Sequence, residues 1–175
     1  MKILKNEKGF TILEMLVVIS IMALLSALLI LYSRTGENQV ILFREQSRLI
    51  TALNRAKSLS VQLYNAPETP CAFGVHFSQN SFLIFRDLAP DCLNASHTYN
   101  DPSEIFENYQ LSPKVRFRSL DPLLTLSDIV FIPPDPKTII DDDSNKSEAT
   151  VILETLDGNA SVNVKVNNAG QITNQ

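Results

Sequence analysis

Few residues in this 175-residue chain are of a type that does chemistry. His76 and His97 are its two histidines, and neither has a cysteine or carboxylate at ligand spacing beside it in the sequence. No metal and no catalytic base is expected from them. There is no glycine-rich phosphate loop, no Gly-x-Ser-x-Gly and no His-Glu-x-x-His, so the sequence predicts a non-enzyme without cofactors. Asp141-Asp142-Asp143-Ser144-Asn145 gathers oxygen donors that would suit calcium, but its spacing is not that of an EF-hand, and a charge run usually marks a solvated loop. Asn94-Ala-Ser96, Asn145-Lys-Ser147 and Asn159-Ala-Ser161 match a glycan-acceptor pattern at chance frequency. Cys71 and Cys92 could form a disulfide if their compartment is oxidising, the alternative being two free, partly buried thiols.

One more residue is out of place. Met15 to Ser33 carries no charge and is dominated by Leu, Ile, Val, Met and Ala, yet Glu14 stands at its edge. Nineteen residues at about 1.5 Å of rise span roughly 28 Å, close to the ~30 Å of a bilayer's hydrocarbon core. Lys2, Lys5 and Lys8 precede the run, which places that end in the cytoplasm. A secretory signal would have a shorter apolar stretch followed by a small-residue cleavage site, and Leu31-Tyr32-Ser33-Arg34 is a poor one. A plain signal anchor fits the length but leaves Glu14 unexplained, since a carboxylate near the bilayer centre costs about 2.5–3.5 kcal/mol.

The boundary reads Lys8-Gly9-Phe10-Thr11-Ile12-Leu13-Glu14. It resembles the type IV prepilin signature, in which a short basic leader ends in Gly, a Phe follows, and a Glu stands fifth in the mature chain. Ile12 and Leu13 are swapped relative to the usual order. The resemblance implies cleavage between Gly9 and Phe10 by a prepilin peptidase, N-methylation of the Phe10 amine, and pairing of Glu14 with the Phe10 amine of a neighbouring subunit. Solvation of Glu14 at the membrane interface is the plainer alternative. Family members often carry Pro or Gly within this helix; Leu16 to Ser33 has neither.

Beyond Arg34 the pattern becomes amphipathic. Leu42, Leu49, Leu53, Ala56, Ser60 and Leu63 fall on one face of a 3.6-residue helix, with Arg44, Glu45, Arg48, Arg55 and Lys57 largely on others. Helix is predicted from Phe10 to about Tyr64, with Pro67 ending it. Strands are predicted at Cys71–Phe77, Phe82–Asp87, Lys114–Arg118, Asp128–Ile132, Thr150–Leu156, Ala160–Val166 and Gln171–Thr173, with 93–112 and 133–148 as loops. A two-residue turn at Gln79-Asn80 sets Val75 against Ile84, puts Phe73, Val75, Phe77, Phe82 and Ile84 on one core face, and turns His76 away. A turn at Ala89-Pro90-Asp91 would bring Cys92 back to Cys71 at the open end of this hairpin. The run Phe73 to Asp87 is similar to the central hairpin of H-type minor pseudopilins and related minor pilins, the GspH/FimT-like domain.

The expected fold is α+β and type IV pilin-like: a long N-terminal hydrophobic helix packed on an antiparallel β-sheet domain. Its parts would be a leader at 1–9, a transmembrane or filament-core helix at 10–33, an amphipathic continuation at 34–64 and an extracytoplasmic β-rich domain at 65–175. The net charge is −4; the first nine residues carry three lysines and one glutamate, leaving −6 beyond them. That balance argues against nucleic acid as a direct ligand. The expected function is a structural subunit, a minor pilin or pseudopilin of a type IV pilus or type II secretion pseudopilus. Its location would be the bacterial inner membrane as a single-pass protein, or a filament. Implied partners are other pilins or pseudopilins, the prepilin peptidase, and an assembly platform with its motor ATPase. The rival readings are a membrane-anchored binding module outside any filament and, more remotely, a tethered hydrolase.

Overall fold

In the computed structural model the described residues are 9–63, 70–118, 126–135 and 137–174, without the side chains of 31–35. The chain divides into two compact units, Met1–Glu37 and Asn38–Gln175. Helix α1, Ile12–Gln62, contains no proline, and its one glycine is Gly36. It starts two residues later than the apolar pattern suggests. Its predicted end, Tyr64 with Pro67, lies outside the described residues.

In the first unit, every side chain from Gly9 to Ile30 is exposed. Ile12–Ile30 is a helix long and apolar enough to cross a membrane. Ser20 and Ser26 donate their hydroxyls to the carbonyls of Leu16 and Met22, each at 2.8 Å, which satisfies two polar groups without water.

The second unit combines the rest of α1 with two antiparallel sheets. Strands β1 (Ala72–Ser78), β2 (Ser81–Asp87), β3 (Ile105–Gln110), β5 (Asp128–Ile132) and β6 (Lys137–Ile140) form the first, in the order β3-β2-β1-β5-β6. Strands β4 (Val115–Phe117), β7 (Glu148–Thr155), β8 (Ser161–Asn167) and β9 (Ile172–Asn174) form the second, in the order β4-β7-β8-β9. Two strands fall in segments expected to be loops. β3 carries Glu107, Asn108 and Gln110, residues of weak strand preference, and is held at the sheet edge by pairing with β2. β6 has only four residues, too few for alternation to register, and is fixed by β5.

The β1–β2 hairpin has the expected register, with Val75 opposite Ile84 and Ser78 opposite Ser81. Phe73, Val75, Phe82 and Ile84 join Leu42, Leu49, Leu53 and Ala56 of α1 and Val151, Leu153, Val162, Val164 and Val166 of the second sheet in one buried core. Phe77 meets Phe117 of β4 edge-on, with ring centroids 5.5 Å apart. Burial of such side chains contributes about 1.5–3 kcal/mol each and is what holds this part of the helix and the two sheets together. Gly74 allows a close approach within the first sheet: a Cβ there would sit 2.6 Å from Phe85 Cε1 and 3.0 Å from the Ile129 carbonyl.

The helical stripe holds at Leu42, Leu49, Leu53, Ala56 and Ser60, all buried. Glu45 departs from expectation. It lies on the buried face, fully covered, because positions 45 and 46 complete the turn between Leu42 and Leu49. Its carboxylate is held by Arg44 at 3.1 Å and Arg48 at 2.7 Å, and a buried charge persists only when so paired.

Candidate functional site

The N-terminal site is built by a helix start. Gly9, Phe10 and Thr11 lie outside α1, exposed. The first helical backbone bond runs from Met15 N–H to the Thr11 carbonyl, 3.2 Å. Thr11 Oγ1 accepts the Glu14 N–H at 3.3 Å, the N-cap arrangement in which a side-chain oxygen takes one of the donors the first turn leaves orphaned. Glu14 falls in the first turn with its side chain exposed, where the helix dipole favours a carboxylate. Phe10 and Glu14 are therefore four residues apart across a capped helix start. The leader lysines Lys2, Lys5 and Lys8 lie outside the described residues.

Among the described residues Gly9 is not crowded. A Cβ built there meets nothing within 4 Å. Thr11 belongs to the sequence signature, but its capping role is an addition of the structure, although the spacing Thr11-x-x-Glu14 is the capping-box pattern.

The other candidates are placed as follows. Cys71 and Cys92 form a disulfide, Cα atoms 5.0 Å apart, closing the loop that leaves β2. Asp87 Oδ1 accepts Ala89 N–H at 3.0 Å and Oδ2 contacts His97 Nδ1 at 2.9 Å. His76 turns away from the core, as expected, and its Nδ1 lies 2.9 Å from Asp128 Oδ1. Tyr99 covers it, ring centroids 4.8 Å apart. Each histidine thus has a carboxylate partner, ten and fifty-two residues distant, that linear spacing did not reveal. Both contacts tie loop to sheet or strand to strand.

Asp141 and Asp143 are engaged by the protein itself. Asp141 Oδ1 accepts the amides of Ser127 and Asp128, and Oδ2 accepts Lys146 Nζ at 2.7 Å. Asp143 Oδ1 accepts the Asn145 amide at 2.8 Å. Among the described residues no cluster of three or more His, Cys, Asp or Glu has the arrangement to hold a metal ion.

With this geometry in hand, comparison with known proteins adds one finding. The family model of the prokaryotic N-terminal methylation motif matches residues 4–30, the stretch that holds Gly9, Phe10, Thr11, Glu14 and the apolar helix. The match supports a type IV prepilin-like protein. Such a motif implies processing by a prepilin peptidase and assembly with other pilins. With the apolar helix near the N-terminus, it fits a membrane-anchored, single-pass chain. No curated protein and no solved structure matches the chain.

Proposed function

We propose that this chain is a minor pilin or pseudopilin, a structural subunit of a type IV pilus or type II secretion pseudopilus. The leader is removed between Gly9 and Phe10, the new Phe10 amine is methylated, and the subunit enters a filament by lateral packing of its N-terminal helix. The observation that carries this reading is Glu14 at the head of an apolar helix whose side chains to Ile30 are all exposed. Lipid covers such a surface before assembly, and neighbouring helices cover it afterwards.

Glu14 supplies the register. After the cut, the Phe10 ammonium stands at the positive end of the helix dipole. A neighbour's Glu14 carboxylate offsets both charges, and a shifted subunit leaves them unpaired in an apolar setting, which is expensive. The hairpin register around Gln79-Asn80 and the helix buried against two sheets support the GspH/FimT-like assignment of the ectodomain. That ectodomain faces away from the cytoplasm, where an oxidising compartment suits the disulfide. The motor ATPase and assembly platform are the partners such a subunit requires.

Mass spectrometry of the mature polypeptide tests the proposal. A first residue of Phe10 carrying one added methyl group is the expected result. A chain beginning after Tyr32, or one retaining Met1 in a host with active prepilin peptidase, sinks it.

A further inference from the structure

We infer that Thr11 is a positioning residue for leader removal: its hydroxyl holds the Glu14 amide and so keeps the Gly9–Phe10 peptide outside the helix, open to the peptidase. This rests on the processing reading above. Hydrolysis adds water across one peptide bond. The water oxygen attacks the Gly9 carbonyl carbon, the bond from that carbon to the Phe10 nitrogen breaks, and both water protons end on that nitrogen as the Phe10 ammonium while Gly9 ends as a carboxylate. Access to the Gly9 carbonyl is therefore the requirement.

The geometry shows what would close that access. In an α-helix each N–H bonds the carbonyl four residues earlier. Extending α1 backwards by one residue would give the Glu14 N–H to the Phe10 carbonyl. One further residue would give the Leu13 N–H to the Gly9 carbonyl, the group that must be attacked. In the structure the Glu14 N–H is already taken by Thr11 Oγ1 at 3.3 Å, and helical bonding begins with Met15 N–H to the Thr11 carbonyl. Gly9 and Phe10 are left non-helical and exposed. Among the described residues, a Cβ at Gly9 would meet nothing within 4 Å. The hydroxyl of Thr11 is thus the stop that separates a helix built for the membrane from a peptide bond built to be cut.

The test uses the full-length chain in detergent micelles with a prepilin peptidase, release of the 1–9 leader peptide being followed by mass spectrometry. Thr11→Val keeps the shape and removes the hydroxyl; Thr11→Asn changes the shape and restores a capping oxygen; Thr11→Ser keeps the hydroxyl. Thr11→Val is expected to lower kcat/KM about fivefold, in line with the worth of an N-cap. Thr11→Ser and Thr11→Asn are expected within about twofold of wild type, a rescue that a role in side-chain packing would not produce. Equal rates for Thr11→Val and wild type, or a fall shared by Asn and Val, overturns the inference and leaves the processing reading standing. A wild-type chain left uncut overturns both.

Discussion

The carboxylate of Glu45 accepts Arg48 Nη1 at 2.7 Å from the buried side of α1, and the same guanidinium nitrogen donates to the Gln110 carbonyl of β3 at 3.2 Å. Arg48 also lies over the Tyr109 ring, 6.0 Å from its centroid. A charge inside the helix–sheet contact thereby holds an edge strand against the helix. Glu45→Ala would leave Arg44 and Arg48 without their acid, but their side chains are 62% and 38% accessible and can regain water. The expected loss is therefore about 2 kcal/mol, below the 3–5 kcal/mol typical of a wholly buried pair. It is read as a lower urea midpoint for the chain in detergent; an unchanged midpoint would show that the pair contributes nothing.

Gly74 makes a sharper prediction. In Gly74→Ala the new methyl must displace the Phe85 ring, whose Cε1 and Cζ lie 2.6 and 2.7 Å from its position, against a backbone carbonyl at 3.0 Å. Overpacking of this kind costs roughly 1–3 kcal/mol. Shortening the ring with Phe85→Leu in the same chain should recover part of that loss, so the double mutant should be less destabilised than the sum of the singles. Strict additivity in thermal unfolding would count against the clash.

Alkaline pH tests a different contact. Tyr109 donates its phenol proton to Glu107. Burial raises its pKa above 10.0, the Glu107 hydrogen bond and charge raise it further, and Arg55 and Arg48 pull partly the other way. A group whose folded pKa is raised contributes stability below its unfolded pKa and loses it as pH climbs through the folded value. Wild type should thus exceed Tyr109→Phe by about 1 kcal/mol near neutrality. The gap should narrow as pH climbs above about 10 and through the raised folded value. Subtracting the mutant cancels the other three tyrosines. A gap that does not change with pH would mean that the phenol is not coupled to Glu107.

The disulfide spans 21 residues, and a closed loop of that length is worth about 3 kcal/mol against the unfolded chain. Cys71→Ser with Cys92→Ser should lower the denaturation midpoint accordingly. The loop itself has other ties, in the Asp87–His97 contact and in Tyr99 against Phe85 at 5.8 Å. Amide exchange should therefore quicken most near Cys92 and less at Thr98 and Tyr99. Equal quickening throughout would show that the bridge alone holds this loop.

What the sequence made legible follows from range. The N-terminal signature is a matter of spacing within seven residues, and the β1–β2 hairpin one of alternation around a two-residue turn, so both could be read directly. β3 and β6 were not readable, because one carries polar residues that only an edge position tolerates and the other is four residues long. The helical pattern sets Glu45 with the charged residues largely on other faces, although its phase between Leu42 and Leu49 points inward. The carboxylate partners of His76 and His97 depend on strand pairing and loop closure, which no local window contains.

Glu14 offers the test closest to function. Its place in the first turn, four residues beyond Phe10, is fixed by the capped helix start. Glu14→Gln keeps the size and hydrogen-bonding reach of the side chain while removing its charge. Leader removal should continue, since the scissile bond lies outside the helix and the Glu14 amide still caps on Thr11. On the proposed pairing assembly should suffer, because a neighbouring Phe10 ammonium would be left in apolar surroundings, and a lost hydrogen bond to a charged group is worth about 1.5–3 kcal/mol. The fraction of chain recovered in sheared filaments should accordingly fall on the order of tenfold or more, with membrane-bound chain unchanged. Glu14→Asp, a shorter acid, should keep the charge and recover part of the loss. If Glu14→Gln enters filaments as well as wild type, the carboxylate is serving the membrane interface and not the subunit contact.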